Sequence, residues 1–271
     1  MEECLQVLDE LLAASSHALA FTGAGVSEES GVPTFRGSGG LWEDYPPAVY
    51  GNLAGLAAAF FLRARRLAGF AADMATALWG ASPNPCHVAL AEMERRGLLE
   101  AVITQNVDDL HAMAGSGKVL ELHGNAYRLR CLRCRRVCRV GRERLAEVAA
   151  RLRAPRVTRR DLVAAFRHYA PRCTECGART RPDVVFFGEG LPPRVLDESI
   201  ELAARCDLLL VLGTASVVYP AALVPRVAME AGAVLVEVNP HPTPLTPHVR
   251  VRIPHRAGAF FARYLESHAW G

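Results

Sequence analysis

A short apolar run, Ala18 to Phe21, breaks at Thr22 into Gly23-Ala24-Gly25 and then into hydroxyl and acidic residues from Ser27 to Ser30. No other stretch constrains the fold as much. An apolar run of strand length that ends in glycines reads as a buried strand entering a phosphate-binding turn, where the backbone can approach an anion closely and the next helix can present its N–H groups. The dinucleotide fingerprint asks for a third glycine three residues after Gly25, and Glu28 stands there, so a hydride-transferring dehydrogenase is disfavoured. A glycine turn that binds nothing is the alternative. Beyond it, Gly31-Val32-Pro33-Thr34-Phe35-Arg36-Gly37 sets an aromatic ring and an arginine where a bound cofactor would extend.

The rest of the chain repeats the pattern of strand, polar end and helix. Residues 3 to 15 read as an amphipathic helix with Leu5, Leu8, Leu11 and Leu12 on one face. Gly37 to Tyr50 reads as a loop able to cover a ligand, and residues 53 to 79 as an alanine-rich helical module broken near Gly69. Pro83-Asn84-Pro85 starts a further helix. Cys86 and His87 there invite a metal assignment, but no second ligand lies at helical spacing, and a structural role is the stronger reading. Leu98 to Thr104, Lys118 to Leu122, Leu208 to Leu212 and Val234 to Val238 are further buried strands, with helices at 195 to 205 and 221 to 231. The strand ends are Gln105-Asn106-Val107-Asp108-Asp109, His123-Gly124-Asn125, Gly213-Thr214-Ala215-Ser216 and Asn239-Pro240. In an open α/β sheet the carboxyl ends of the strands face the ligand crevice. His123 is placed to act as a general base near neutral pH.

The fold class is therefore α/β: a Rossmann-like, doubly wound parallel sheet with a smaller inserted zinc-binding and helical domain. The expected division is residues 1–50, 81–130 and 181–271 for the nucleotide-binding domain, 51–80 for the helical module, and 131–180 for the zinc module. Arg181 to Glu189 is expected to return to the main domain as an apolar strand whose end could accept an extended peptide.

Four of the eight cysteines form two Cys-x-x-Cys pairs, Cys131/Cys134 and Cys173/Cys176. Four thiolates at that spacing suit a tetrahedral structural Zn2+ with no open position for water. Cys138 is a possible competitor, and the long insert between the pairs, helical at 142 to 152 and 160 to 169, is expected to bulge from the knuckles. The pairs favour metal in a reducing compartment over disulfides. With no apolar run long enough to cross a bilayer and no signal-peptide pattern at Glu2-Glu3, a cytoplasmic protein is expected. Net charge is +3, yet Arg128 to Arg160 holds 13 arginines against Glu143 and Glu147, and Lys118 is the one lysine in the chain. A compositional bias toward arginine explains most of this, and contact with an acidic partner or nucleic acid is the functional alternative.

Taken in order, Gly23 to Ser27, Gly31 to Arg36, Gln105 to Asp108, Leu122-His123-Gly124, both cysteine pairs, Val185 to Glu189, Gly213 to Ser216 and Val238-Asn239-Pro240 resemble the sirtuins, the NAD-dependent protein-lysine deacylases, of the bacterial type. The resemblance runs over nearly the whole chain. It implies that Gly23, Ala24, Gly25 and Ser27 hold the pyrophosphate of NAD, and that Phe35, Arg36 and Trp42 lie near the nicotinamide ribose. Asn106 and Asp108 would flank the nicotinamide pocket, with Gln105 near the ribose hydroxyls and Val107 a further cofactor contact, while Gly213, Thr214, Ser216, Asn239 and Ala257 meet the adenosine half. By the same resemblance His123, with Asn106 and Asp108, is catalytic: the acyl oxygen of a modified lysine attacks C1′ of the ribose as nicotinamide leaves, and the histidine assists a ribose hydroxyl in the next step. The products are free lysine, nicotinamide and O-acyl-ADP-ribose. Val185 and Phe187 would line the acyl-lysine tunnel, and Gly188, Glu189, Val217 and Val218 would pair with the peptide backbone.

No Tyr-x-x-Arg pair, which sirtuins acting on succinyl or malonyl groups use to bind the acyl carboxylate, occurs between residues 50 and 82, so uncharged acyl groups are expected. The implied partners are acylated-lysine proteins or peptides acting on a monomer, with neither membrane nor nucleic acid. Three competing readings stand beside this one, the first a deacylase that prefers succinyl, malonyl or longer acyl groups. The same cleavage of NAD could pass ADP-ribose to a protein side chain, and a non-catalytic zinc-ribbon module could use the arginine-rich insert on nucleic acid.

Overall fold

The computed structural model describes residues 1–34 and 40–270. In chain order the elements are α1 (Glu2–Ala14), β1 (Ala18–Thr22), α2 (Ala24–Ser27), α3 (Leu41–Asp44), α4 (Pro47–Tyr50), α5 (Leu53–Leu62), α6 (Ala64–Gly80), α7 (Pro85–Arg95), β2 (Ala101–Thr104), α8 (Leu110–Ala114) and β3 (Val119–Glu121). There follow β4 (Gly124–Cys131), β5 (Val137–Arg139), α9 (Arg142–Leu152), α10 (Arg159–Tyr169), β6 (Thr180–Val184), α11 (Pro193–Arg205), β7 (Leu208–Leu212), α12 (Leu223–Glu230), β8 (Val234–Val238), β9 (Val251–Ile253) and α13 (Ala257–Ser267). They form two compact units.

The first unit comprises residues 1–30, 82–123 and 191–271. Its sheet has the order β3-β2-β1-β7-β8-β9 with every pairing parallel. The reversal of strand order beside β1 is the topological switch point at which α/β sheets bind ligands. Ala18, Ala20, Leu208, Leu210, Leu212, Val236 and Val238 join one core with Leu5, Leu8 and Leu12 of α1, Leu90 and Met93 of α7, and Phe260 and Phe261 of α13. The alternate residues Leu19, Phe21, Leu209, Val211 and Leu235 are buried as well, so helices cover both faces and the strands read as continuous apolar runs. Burying each leucine of the α1 stripe is worth about 1.5–3 kcal/mol, which outweighs the modest propensity terms of a single helix. Asp207 fixes the junction of α1 and β1 by accepting the N–H groups of Ser16 (2.7 Å) and His17 (3.1 Å).

The second unit comprises residues 31–81 and 124–190. It holds an antiparallel sheet of order β5-β4-β6. The strand expected at 181 to 189 to rejoin the parallel sheet pairs with β4 instead: Arg181 and Pro182 lie opposite Arg130 and Leu129 and, across a register shift in β4, Asp183 and Val184 lie opposite Asn125 and Gly124. The helical module breaks at Arg63, whose φ of −141° leaves the helix, and not at Gly69. Gly69 sits inside α6, where a side chain would crowd the Tyr45 hydroxyl. From Leu41 onward the expected loop folds as α3 and α4, held by an edge-on cluster of Tyr45, Tyr50 and Phe70.

The insert between the cysteine pairs does not bulge free. Helix α9 packs on α6, and Arg142 donates to the carbonyls that end that helix, at Leu78 (3.4 Å), Trp79 (2.7 Å) and Ala81. A cation at a helix C-terminus satisfies orphan carbonyls and complements the helix dipole. Arg153 reaches Asp73 and Thr76 of α6 at 3.1 Å each. Part of the arginine excess is thus structural mortar within this unit.

Candidate functional site

In the first unit, β1 and β7 end side by side and their turns cross. Gly23 N–H donates to Leu212 (3.1 Å), Gly25 N–H to Gly213 (2.9 Å), and Gly213 N–H to Val238 (3.0 Å). A side chain on Gly25 would lie 2.8 Å from the Gly213 carbonyl oxygen, and one on Gly213, itself left-handed at φ 55°, would lie 2.5 Å from Val26 N. These glycines are required by the contact between two turns, before any ligand is considered.

The polar strand ends converge on this crossing. Asn106 is buried; its amide donates to the Gly23 carbonyl and to the Ser27 hydroxyl, at 3.0 Å each. Ser27 in turn donates to Asp108 at 2.7 Å, and Asp108 also accepts the Leu110 N–H at 3.0 Å. Burial pushes the Asp108 carboxyl above the usual range, against the opposing pull of those two donors. Gln105 bridges to the Thr214 hydroxyl at 2.8 Å, and Asn239 donates to the Thr214 carbonyl at 3.3 Å. Val107 is half-buried between Asn106 and Asp108.

Beneath them lies a row of buried hydroxyls and imidazoles. Thr22 donates to Thr104 (2.8 Å), Thr104 accepts the Asn106 N–H (3.0 Å), and His111 Nε2 stands 3.0 Å from the Thr22 oxygen. With the Thr22 proton committed to Thr104, the bond from His111 is a donation, which fixes its Nε2–H tautomer. His87 packs against His111 with ring centroids 4.7 Å apart, and its Nδ1 accepts the Asn84 N–H in a capping box. The metal temptation at Cys86 and His87 dissolves here: His87 belongs to a helix cap and Cys86 to the core. Burial lowers His87 to about 4 and His111 well below the usual imidazole value, so both rings are neutral.

His123, at the end of β3, is partly buried, and its Nδ1 lies 2.8 Å from the Gln105 carbonyl oxygen. A carbonyl only accepts, so Nδ1 carries the proton and Nε2 keeps a lone pair. Burial lowers the imidazole pKa, outweighing the carbonyl bond that raises it. The ring is a neutral base with its orientation fixed.

Two non-glycine residues beside these strand ends adopt left-handed backbone, Asp109 (φ 66°) and Ser216 (φ 51°). Such strain persists where surrounding structure imposes it, characteristically at binding sites. The Ser216 hydroxyl oxygen is buried with no partner, an orphan that a bound polar group would satisfy. Ala257 is buried at the start of α13, whose first turn is capped by Glu29 through a 2.6 Å bond from Gly258 N–H. Glu28 pairs with Arg256 at 3.0 Å. Val217 is exposed and Val218 half-buried on the loop after β7.

The remaining candidates belong to the second unit. Trp42 packs on Phe187 with centroids 6.1 Å apart, and Phe187 N–H donates to Gly51 at 2.8 Å. Phe187 and Gly188 are exposed and Val185 is half-buried. The Glu189 carboxylate is taken up by a bidentate pair with Arg181 (2.5 and 2.8 Å) and by the Phe186 N–H (2.9 Å), and these hold it below the usual range. Phe35 and Arg36 lie outside the described residues.

The two knuckles are near copies. Cys131 N–H donates to Arg136 and Cys173 N–H to Ala178, both at 2.9 Å, and the residue after each second cysteine is left-handed, Arg135 at φ 62° and Gly177 at φ 67°. The four sulfurs of Cys131, Cys134, Cys173 and Cys176 lie within 4.8 Å of one another, with 3.5 Å from Cys131 to Cys176 and 3.7 Å from Cys134 to Cys173. Sulfurs about 2.3 Å from a central ion at tetrahedral angles stand about 3.8 Å apart, so the donor set fits Zn2+. Cys138 is exposed on β5 and outside the cluster.

Sequence reasoning missed Thr22, Thr104 and Glu29. The signal for the threonines is a hydroxyl closing each of two neighbouring apolar strands. Glu29 had none, since its partner is 229 residues away.

A Sir2 family model matches residues 23–220. An NAD-dependent protein deacylase 2 of Pyrobaculum aerophilum is 44% identical over 267 residues, covering 95% of this chain and 93% of the relative. An NAD-dependent protein deacylase of Pyrococcus furiosus is 42% identical, covering 96% of each. Among solved structures, a mutant Sir2 homologue in complex with ADP-ribose superposes with a TM-score of 0.78 at 36% identity, covering 100% of this chain and 97% of the other. A Sir2 complex with a p53 peptide and NAD+ superposes at 0.75 with 34% identity, covering 98% and 99%.

Proposed function

This chain belongs to the Sir2 family, and from that premise we propose that it is an NAD-dependent protein-lysine deacylase whose general base is His123. NAD, as co-substrate, supplies the ADP-ribose that accepts the acyl group. One observation carries the assignment of the base: His123 is neutral, its Nδ1–H anchored on the Gln105 carbonyl, and its Nε2 free to take a proton. A base poised below its ordinary pKa is fully deprotonated at neutral pH, and positioned proton transfer contributes about 10²–10⁴-fold.

The other residues have supporting roles in this reading. Gly23, Ala24, Gly25 and Ser27 bring backbone N–H groups and a hydroxyl to the pyrophosphate, at a crossing whose glycines leave the backbone bare. Asn106 and Asp108 line the nicotinamide end, with Gln105 and Val107 beside them. The raised carboxyl of Asp108 favours a neutral or donor-rich neighbour over an anion. Gly213, Thr214, Ser216, Asn239 and Ala257 attend the adenosine half, and the orphaned Ser216 oxygen supports a polar ligand there. Phe35, Arg36 and Trp42 complete the cofactor contacts. Val185 and Phe187 are the walls for the acyl-lysine stem. Because β6 is an edge strand, the segment that continues it, through Gly188 and Glu189, is suited to strand addition by an extended peptide. Val217 and Val218, on the loop after β7, are further proposed peptide contacts. Zinc on the four cysteines is structural, since all four positions are thiolates.

An acetyl or other uncharged acyl group is the proposed cargo. Between residues 50 and 82 Phe60 precedes Arg63, Phe61 precedes Ala64 and Phe70 precedes Asp73, so no tyrosine and arginine stand three apart to hold an acyl carboxylate. A cytoplasmic, monomeric enzyme belongs to the same proposal, the reducing compartment keeping the zinc thiolates reduced. Among the described residues no helix is long and apolar enough to cross a membrane. The test is the His123→Ala variant, assayed for turnover of an acetyl-lysine peptide and, separately, for NAD binding by calorimetry. Loss of turnover with NAD binding retained is expected; full turnover would remove His123 from the mechanism.

A further inference from the structure

The first and second units carry opposite charge. Residues 31–81 and 124–190 hold 21 arginines against nine acidic residues, a net of +12, while the rest of the chain holds 10 basic and 19 acidic residues, a net of −9. Arg130, Arg142, Arg153 and Arg181 are engaged inside the second unit, by Asp183, the α6 carbonyls, Asp73 and Glu189. Arg160 and Arg167 of α10 are not. Both are exposed, and among the described residues neither has a hydrogen-bond or ion-pair partner.

These two arginines belong to one stripe. Arg160, Val163, Ala164 and Arg167 follow at i, i+3, i+4 and i+7, so they share a face of α10, while Leu162 and Ala165 are buried on another. That exposed face borders an open groove of about 390 Å3, also lined by Phe60 of α5 and by Arg159. The sequence works against the helix here. Arg159 and Arg160 occupy its first two positions, where the dipole favours anions, and only Asp161 offsets them. Arg159 is taken up by the Phe61 carbonyl, whereas Arg160, kept at the helix N-terminus with no partner among the described residues, points to a use outside the helix.

We propose that this groove is a docking site for an acidic segment of a partner protein, with two carboxylates meeting Arg160 and Arg167 and an apolar side chain between them resting on Val163 and Ala164 beside Phe60. Seven helical residues rise about 10 Å; in an extended peptide residues i, i+2 and i+4 share one face and span about 13 Å, a difference that the long arginine and glutamate side chains take up. The recognised pattern is therefore a pair of acidic residues four apart with an apolar residue midway between them. Guanidinium forks suit carboxylates in bidentate geometry. Nucleic acid fits less well, because strand binding uses bare aromatic faces, whereas the floor here is aliphatic, Phe60 is half-buried, and Phe61 already carries the Arg159 guanidinium 6.0 Å from its ring. Charge complementarity selects the partner, and the site is independent of the catalytic proposal.

The experiment is fluorescence anisotropy on the full chain with a labelled peptide carrying a Glu-Gly-Leu-Gly-Glu core, compared with Gln-for-Glu and Ser-for-Leu peptides and with an oligothymidine strand of equal charge. Saturable binding that weakens with salt is expected, with both altered peptides bound more weakly. The Arg160→Glu, Arg167→Glu double variant should raise Kd about tenfold or more, and the paired Arg→Lys variant, which keeps the charge but loses the fork, should bind between it and the wild type. Thermal melting confirms that each variant is folded. No binding by the wild-type chain, equal binding by the Glu double variant, indifference to the leucine, or tighter binding of oligothymidine would each overturn the proposal.

Discussion

The buried His87–His111 pair makes a quantitative prediction about acid stability. Because burial lowers the folded pKa of His87 from 6.5 to about 4, the unfolded chain binds more protons between those values. Stability is therefore complete above pH about 6.5 and declines as the pH falls through that window. Integrating the proton difference from pH 7.5 to pH 5 gives a loss of about 2 kcal/mol from His87 alone. His111, lowered further by burial and by its neighbour, acts in the same direction. A loss of that size lowers Tm by about 4–8 °C for a unit of this size. The assay is thermal melting by circular dichroism at pH 7.5, 6.0 and 5.0, in the wild-type chain and in His87→Gln, which keeps an acceptor for the Asn84 N–H but cannot titrate. The variant should be less dependent on pH over this range, whatever its absolute stability. Identical pH slopes in the two proteins would refute the reasoning, since the protonation cost would then lie elsewhere.

Three further outcomes follow from the site. Stripping metal with a chelator, or replacing Cys173 by Ser, should unravel the knuckles; loss of far-ultraviolet signal and protease cleavage between residues 131 and 180 would report it, and unchanged resistance would argue against a structural ion. Gly25→Ala should cost about 1–3 kcal/mol and weaken NAD binding, because the new methyl meets the Gly213 carbonyl oxygen; an undisturbed melting curve would mean that the turns can move apart. The ascending limb of the pH–rate profile should lie below the ordinary histidine range, following the lowered pKa of His123, and should vanish in a variant without the imidazole; a limb at or above 6.5 would contradict a desolvated base.

The parallel sheet was legible because its strands are buried on both faces and therefore read as unbroken apolar runs: Leu208 to Leu212 and Val234 to Val238 are the observed strands to the residue. The cysteine spacing carried the metal cluster equally well. What the sequence hid was non-local. Nothing near Arg181 says that its strand pairs with β4, and nothing near Gly69 distinguishes a helix break from a close approach by Tyr45. The arginine count was visible, but the division between arginines that bind α6 and those left facing solvent on α10 depends on packing. Around the crossing of the two turns, the glycines suggested a phosphate; the structure adds that each is also demanded by the other turn.

The central claim is that this chain spends NAD to remove an acyl group from lysine. Its most direct test is mass spectrometry of the products when the wild-type protein is given NAD and a panel of acetyl-, propionyl- and succinyl-lysine peptides. The account predicts free lysine peptide, nicotinamide and O-acyl-ADP-ribose in equal amounts, fastest for uncharged acyl groups. Consumption of NAD with the acyl peptide intact and ADP-ribose attached to protein would contradict it.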